Sequence, residues 1–217
     1  MKIIVCLFTK ISDAIGINSE KKHLYFLLLL TSSIGFSQIT SGEYESGLTI
    51  AYNPKNKLVT GYFENYTGMD ETTGNPRFSC IFYLEGFNDK GKIRVTSYFP
   101  IDKKEDLIDG EIQIVTPNKI KIKLSNEHGG CWNVAHFADE FTTFDIQTPK
   151  NWIEIRYIDS NQSYFYGVKD DKTKKKSYLV KGDIIYIDKI ENNWIHCHYF
   201  GKNTSEGWLK IESINKI

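Results

Sequence analysis

The sequence predicts an all-β fold: an N-terminal antiparallel β-sandwich or barrel, followed by a second, very small β-barrel. Three observations carry that expectation. Short apolar runs alternate with turn residues along the chain. No segment sustains a long helical period. The β-forming aromatics are abundant, with 13 Tyr and 13 Phe in 217 residues. A hydrophobic fraction of 41% supplies enough apolar surface for packed cores and argues against disorder. The length suits two small domains.

Residues 1–37 are expected to form a secretory signal peptide rather than part of the fold. Lys21 and Lys22 precede an apolar run from Leu24 to Leu30 that continues to Phe36, and Gly35 and Ser37 are the small residues before a cut at Gln38. The run is too short for a comfortable membrane span of about 20 residues, so no stable span is expected after cleavage. Met1 to Glu20 make an unusually long n-region. The expected address is periplasmic or secreted.

Charge is balanced overall, with 27 basic and 27 acidic groups. Residues 1–37 hold four Lys and two acids, which leaves 23 basic and 25 acidic groups beyond them. Residues 38–149 carry a net −5 and residues 150–217 a net +3. Nucleic acid would need a concentrated basic face, which this mild polarity does not supply. The densest basic cluster, Lys172 to Lys176, reads as a solvated loop.

Export also governs the cysteines. With Cys6 in the signal segment, Cys80, Cys131 and Cys197 remain. Cys80 shares a strand face with Phe78, Phe82 and Leu84, the natural inward face. Cys131 follows Gly129-Gly130 at a turn or strand start and precedes Trp132. A Cys80–Cys131 disulfide through one core is therefore expected, closing a loop of about 50 residues and stabilising by roughly 4 kcal/mol in the chain-entropy model. Cys197 is left unpaired.

The first domain, residues 38–148, reads as strands and turns. Leu48–Tyr52 ends at the Asn53–Asn56 turn, and Leu58–Phe63 follows. Asn65–Asn75 reads as a polar loop. Phe78–Phe87 and Lys92–Phe99 flank a hairpin turn at Asn88–Gly91. Glu111–Val115 and Lys119–Leu124 form another hairpin, the second run alternating lysines with Ile120, Ile122 and Leu124. One short helical turn is expected within Val134–Phe144. Thr148–Asn151 marks the boundary.

Residues 149–217 carry the second domain. After Trp152–Ile158 comes a segment read as an extended loop, Asp159–Ser177. Then follow Lys181-Gly-Asp183 before Ile184–Ile187, Asn193-Trp194, Gly201-Lys202 and Gly207-Trp208-Leu209. In this order and spacing the run, from about residue 152, resembles the bacterial SH3-like family. Cys197 stands where that family usually has Val, and Tyr199 where it has Tyr. Ile195, Cys197 and Tyr199 share one strand face and Trp194, His196 and His198 the other, so Cys197 is expected to be a small core residue. The resemblance implies a peptide ligand on an aromatic ledge, with Tyr164, Tyr166, Trp194 and Trp208 as its contacts.

Other residues offer chemistry that competes with that binding role. His196 and His198 project together at zinc-ligand spacing, but no third ligand is evident unless Asp188 or Glu206 converges from a neighbouring strand; no metal is expected. His128, Cys131 and His136 mimic a Cys–His nucleophilic site in a context of strands and turns, without a helix start to activate the thiol. Asp102, Glu105, Asp106, Asp109 and Glu111 read as a solvated acidic loop. No phosphate, dinucleotide or metalloprotease motif occurs, so no cofactor is expected. The leading expectation is an exported, non-catalytic envelope protein that binds a peptide, peptidoglycan or an envelope protein. An inhibitor or immunity-type protein that blocks a secreted hydrolase is the alternative, and a Cys-dependent cell-wall peptidase is the third reading.

Overall fold

The computed structural model describes residues 38–89, 91–101 and 106–217. The expected signal peptide lies outside the described residues, as do Asp102 and Glu105 of the acidic cluster. The described chain is all-β, and none of its helices is long and apolar enough to cross a membrane.

The first eight strands close into an antiparallel barrel. They are β1 (Gly42–Tyr44), β2 (Leu48–Asn53), β3 (Leu58–Met69), β4 (Pro76–Asp89), β5 (Lys92–Tyr98), β6 (Ile108–Thr116), β7 (Lys119–Leu124) and β8 (Thr142–Pro149). Each pairs with the next, and β1 closes on β8 with Gly42 opposite Pro149. Of the two expected architectures, the barrel forms. Eight strands leave an interior that side chains can fill. Alternate residues do so: Ile120, Ile122 and Leu124 point inward from β7, while its lysines reach outward. Phe63, Phe82, Phe137 and Phe144 meet at the centre in stacked and edge-on pairs 5.0–6.2 Å apart.

Three expectations about this region change. Asn65–Asn75 is not a loop throughout: β3 runs to Met69 and β4 begins at Pro76, with Thr67 opposite Phe78. This outer half of the hairpin is solvent-bathed, so it lacks the apolar alternation that marks a half-buried strand. Its tip is an Asx turn, in which the Asp70 carboxylate accepts from the N–H groups of Thr72 and Thr73 and pairs with Arg77. The short helical turn falls at Cys131–Asn133, just before Val134–Phe144. Phe78 is also exposed, although Cys80, Phe82 and Leu84 on the same face are buried as expected.

Cys80 and Cys131 form the anticipated disulfide, their sulfurs 1.95 Å apart. With a hydrogen bond from Thr67 Oγ1 to the Asn133 carbonyl, it pins the β3–β4 hairpin to the Cys131 turn.

The remaining strands are β9 (Glu154–Tyr157), β10 (Gln162–Tyr166), β11 (Lys174–Val180), β12 (Ile184–Glu191), β13 (Trp194–Phe200) and β14 (Thr204–Lys210). They form a six-stranded sheet in the order β11-β10-β14-β13-β12-β9. The ladder is open between β11 and β9, where the Gly182 N–H donates to Ile158 O and the Ile158 N–H to Asp183 O. Leu179 from β11 shares one core with Ile185, Ile187, Ile195, Cys197 and Leu209, so the sheet rolls around its inner face. Cys197 is fully buried there, as expected of a small hydrophobe.

The Asp159–Ser177 segment is not one extended loop. Ser163 and Phe165 point inward while Tyr164 and Tyr166 point outward, a two-residue period that makes β10. Lys174–Lys176 open β11, an edge strand, where exposed lysines discourage pairing with other chains.

The two sheets share a third cluster: Ala51, Tyr83 and Tyr98 from the barrel pack on Trp152, Ile155 and Tyr157. The barrel also caps the free edge of β9. Thr60 Oγ1 accepts from the Ile155 N–H at 2.7 Å, and the Tyr83 hydroxyl donates to the Ile155 carbonyl at 3.0 Å. Buried Glu154 is held by Arg156 and by the Asn53 amide, so its charge is paired and its oxygens are bonded.

Candidate functional site

The outer face of the rolled sheet is divided. Ile184 and Tyr186 pack toward the barrel, while the rest of β12 and the face of β13, β14, β10 and β11 open to solvent. All four residues expected to contact a ligand lie on that open face. Tyr166 is paired across the ladder with Trp208. Its ring meets Trp194 edge-on at 4.9 Å. Tyr164 sits one outward position back on β10 and leans against Tyr178 at 5.6 Å.

The row extends beyond those four. Trp208 contacts His196 at 5.2 Å, and His198 stacks on Phe200. Lysines lie over the rings: Lys210 Nζ is 3.8 Å from the Trp194 centroid, Lys174 Nζ 3.6 Å from Tyr164, and Lys169 Nζ 5.2 Å from Trp208. Each such contact is worth about 0.5–1 kcal/mol at an exposed site. The sequence does not single out Phe200, Lys169 or Lys210, and it marks Lys174 only as part of the Lys172–Lys176 cluster read as a solvated loop. The signal was available in the outward positions of each alternating strand, but which strands neighbour one another was not.

Beside this row lies a cluster of imidazoles and carboxylates. His196 and His198 project from β13. Asp188 reaches them because β12 carries a β-bulge: Ile187 opposes Cys197 and Lys189 opposes His196, so Asp188 is the extra residue. Asp188 and Lys189 can then both face outward, while Ile187 and Ile190 still reach the core side. Asp188 Oδ1 is 2.8 Å from His196 Nδ1, and its Oδ2 is 3.0 Å from His198 Nε2. Glu206, opposite His198 in the β13–β14 register, approaches the other ring nitrogens: 3.7 Å from His196 Nε2 and 3.4 Å from His198 Nδ1. Partial burial pushes the Asp188 carboxyl upward, but the hydrogen bonds and charges of His198 and His196 outweigh it and hold the group below the usual carboxylate range. The convergence that the sequence left open, Asp188 and Glu206 upon the two histidines, is thus present. An open cleft of about 480 Å³ adjoins it, lined by Asn151, Asp188, Lys189, His196 and Trp208.

A second histidine arrangement lies within the barrel. His128 Nε2 is 2.9 Å from Ser97 Oγ, and its Nδ1 is 3.1 Å from Asp106 Oδ2. The order Ser–His–Asp matches a hydrolytic triad, but geometry alone does not make one. Ser97 is fully buried, donates to the Ile108 carbonyl, and has His128 stacked on Phe82 beside it. No substrate carbonyl can approach that hydroxyl in this arrangement. Cys131, in its disulfide, is not a thiolate, and the exposed His136 pairs with Asp139 and Trp132 instead. Burial pushes the Cys197 thiol far above its ordinary range, away from nucleophilic chemistry.

No family model, curated protein or solved structure matches this chain.

Proposed function

We propose that this is an exported, non-catalytic binding protein of the bacterial envelope, whose SH3-like C-terminal domain holds an extended peptide or cell-wall peptide on its aromatic face. The observation that carries the reading is the half-buried row of Tyr164, Tyr166, Trp194 and Trp208 on the outer face of three neighbouring strands. Flat rings on a rigid sheet supply contact area at small entropic cost. The lysines above them favour a ligand with carboxylates. A pull-down on purified peptidoglycan tests it. Retention of the intact protein is expected, and the Tyr166→Ala/Trp194→Ala double variant should lose most of it. Equal retention of that folded variant rules out this face.

A second reading is an inhibitor or immunity-type protein. It draws on the net −5 of residues 38–149 and on the β3–β4 hairpin, which presents exposed Tyr66, Met69 and Phe78, with Trp132 in the turn stapled to it. A solvent-bathed hairpin that carries a few exposed apolar side chains suits insertion into another protein's cleft. Salt-sensitive capture of a basic secreted hydrolase, abolished by Met69→Asp, supports it. Capture that survives this change rules out the hairpin.

A further inference from the structure

We propose that Asp188, His196 and His198 bind a divalent transition-metal ion of the zinc class, with Glu206 orienting both imidazoles from their far side. The inference is independent of whether the aromatic face binds peptide.

Three features of the cluster support it. The first is convergence. One ligand atom from each of Asp188, His196 and His198 lies within 4.8 Å of the others, against about 3.4 Å between ligand atoms of a tetrahedral zinc shell with bonds near 2.1 Å. Small rotations of these half-exposed side chains close the difference.

The second is the asymmetry of the ring nitrogens. Asp188 sits against Nδ1 of His196 and Nε2 of His198, whereas Glu206 faces the opposite nitrogen of each ring. An ion on the Asp188 side takes the place of the protons that these nitrogens donate to Asp188, and each neutral ring then carries its proton on the nitrogen that faces Glu206. A carboxylate accepting from the far N–H of a ligating histidine is the usual means of fixing its tautomer and raising its basicity. Here one carboxylate serves two rings.

The third is the setting. Trp208 and Phe200 pack against the two imidazoles and limit their rotation. Two carboxylates balance the ion's double charge. Lys189, next to Asp188 in the chain, is directed to Glu191 and the Trp208 ring. Two imidazoles with one carboxylate suit zinc, copper or nickel better than magnesium or calcium, which take oxygen ligands. The adjoining cleft leaves room for a further ligand from solvent.

Calorimetric titration of the purified, chelator-stripped protein with zinc chloride alone tests the site, with magnesium chloride as the comparison. The expected result is one zinc per chain with a dissociation constant of about 1 μM or tighter, and no magnesium heat. Asp188→Asn and His198→Ala should each weaken zinc at least tenfold, Glu206→Gln by about 10-fold or more, and His136→Ala not at all. In nitrogen NMR of the imidazoles, zinc should move the protons of His196 to Nε2 and of His198 to Nδ1. The site is overturned if zinc gives no heat at about 100 μM, far above that constant. It is equally overturned if the His196→Ala/His198→Ala variant binds as tightly as the parent. Should those variants fail to fold, imidazole resonances of the unaltered protein that stay unshifted at saturating zinc overturn it as well.

Discussion

The barrel and the rolled sheet each place histidine against aspartate at about the same separation, 3.1 Å for His128–Asp106 and 2.8 Å for His196–Asp188. Their surroundings differ. His128 is buried, stacked on Phe82 and bound to a serine that no solvent reaches. His196 and His198 stand on an open face beside a cleft, flanked by half-buried Trp208 and exposed Phe200. The same pair of functional groups serves packing in one place and is available for binding in the other. Access and the third partner decide the role, not the residue types. In the barrel the third partner is a spent hydroxyl; on the sheet it is a second imidazole that shares the carboxylate.

Substitutions can break or sharpen this contrast. The largest effect is expected from removing the barrel's covalent staple. The Cys80→Ala/Cys131→Ala variant releases a constraint across a sequence separation of 51 residues, worth about 4 kcal/mol in the chain-entropy model. Denaturant unfolding should show that loss. Because Thr60 and Tyr83 of the barrel cap β9, fluorescence of Trp194 in the second sheet, and of Trp152 just before it, should change in the same transition. A barrel transition that leaves those signals untouched would show that the sheets unfold independently.

The next largest effect compares the histidines directly. His128→Ala leaves a cavity beside Phe82 and strips Ser97 of one partner, a loss of roughly 2–4 kcal/mol. His198→Ala, without metal, should cost under about 1 kcal/mol, since exposed ion pairs are worth little. Equal losses in thermal melts would erase the distinction between a packing histidine and a binding one.

The smallest effect concerns the hairpin tip. Arg77, with the N–H groups of Thr73 and Thr72, holds the Asp70 carboxyl below its ordinary value. A depressed carboxylate contributes stability above the unfolded value, and that contribution is lost as pH falls through the folded value. The Thr72 and Thr73 amide resonances should therefore titrate below about pH 4, and Arg77→Gln should move that titration upward. A titration unmoved by Arg77→Gln would remove the ion pair from the account of this turn.

Much of the fold was legible in the sequence. Alternation in Lys119–Leu124 fixed its inward face, Asn88–Gly91 announced a hairpin, and an inward Cys80 with a turn-borne Cys131 announced the disulfide. The opposed faces of Trp194–Phe200 followed from the two-residue period, and so did the burial of Cys197. Legibility failed where a strand lacks a buried face, as in the outer β3–β4 hairpin, and where lysines hide an edge strand, as in β11. The candidate site was half legible: the four aromatics and two histidines stood out, while their partners did not.

The sequence by itself determined which side chains face in and which face out, because that alternation is a local property of an extended backbone. Only the tertiary structure decided which outward side chains meet. Asp188 joins His196 and His198 through one bulge residue that shifts the β12 register, and Glu206 joins them through the β13–β14 pairing. Ser97, His128 and Asp106 meet across a closed barrel. Register, bulges and barrel closure are set by the summed packing of distant strands, and a local alternation pattern carries no record of that sum.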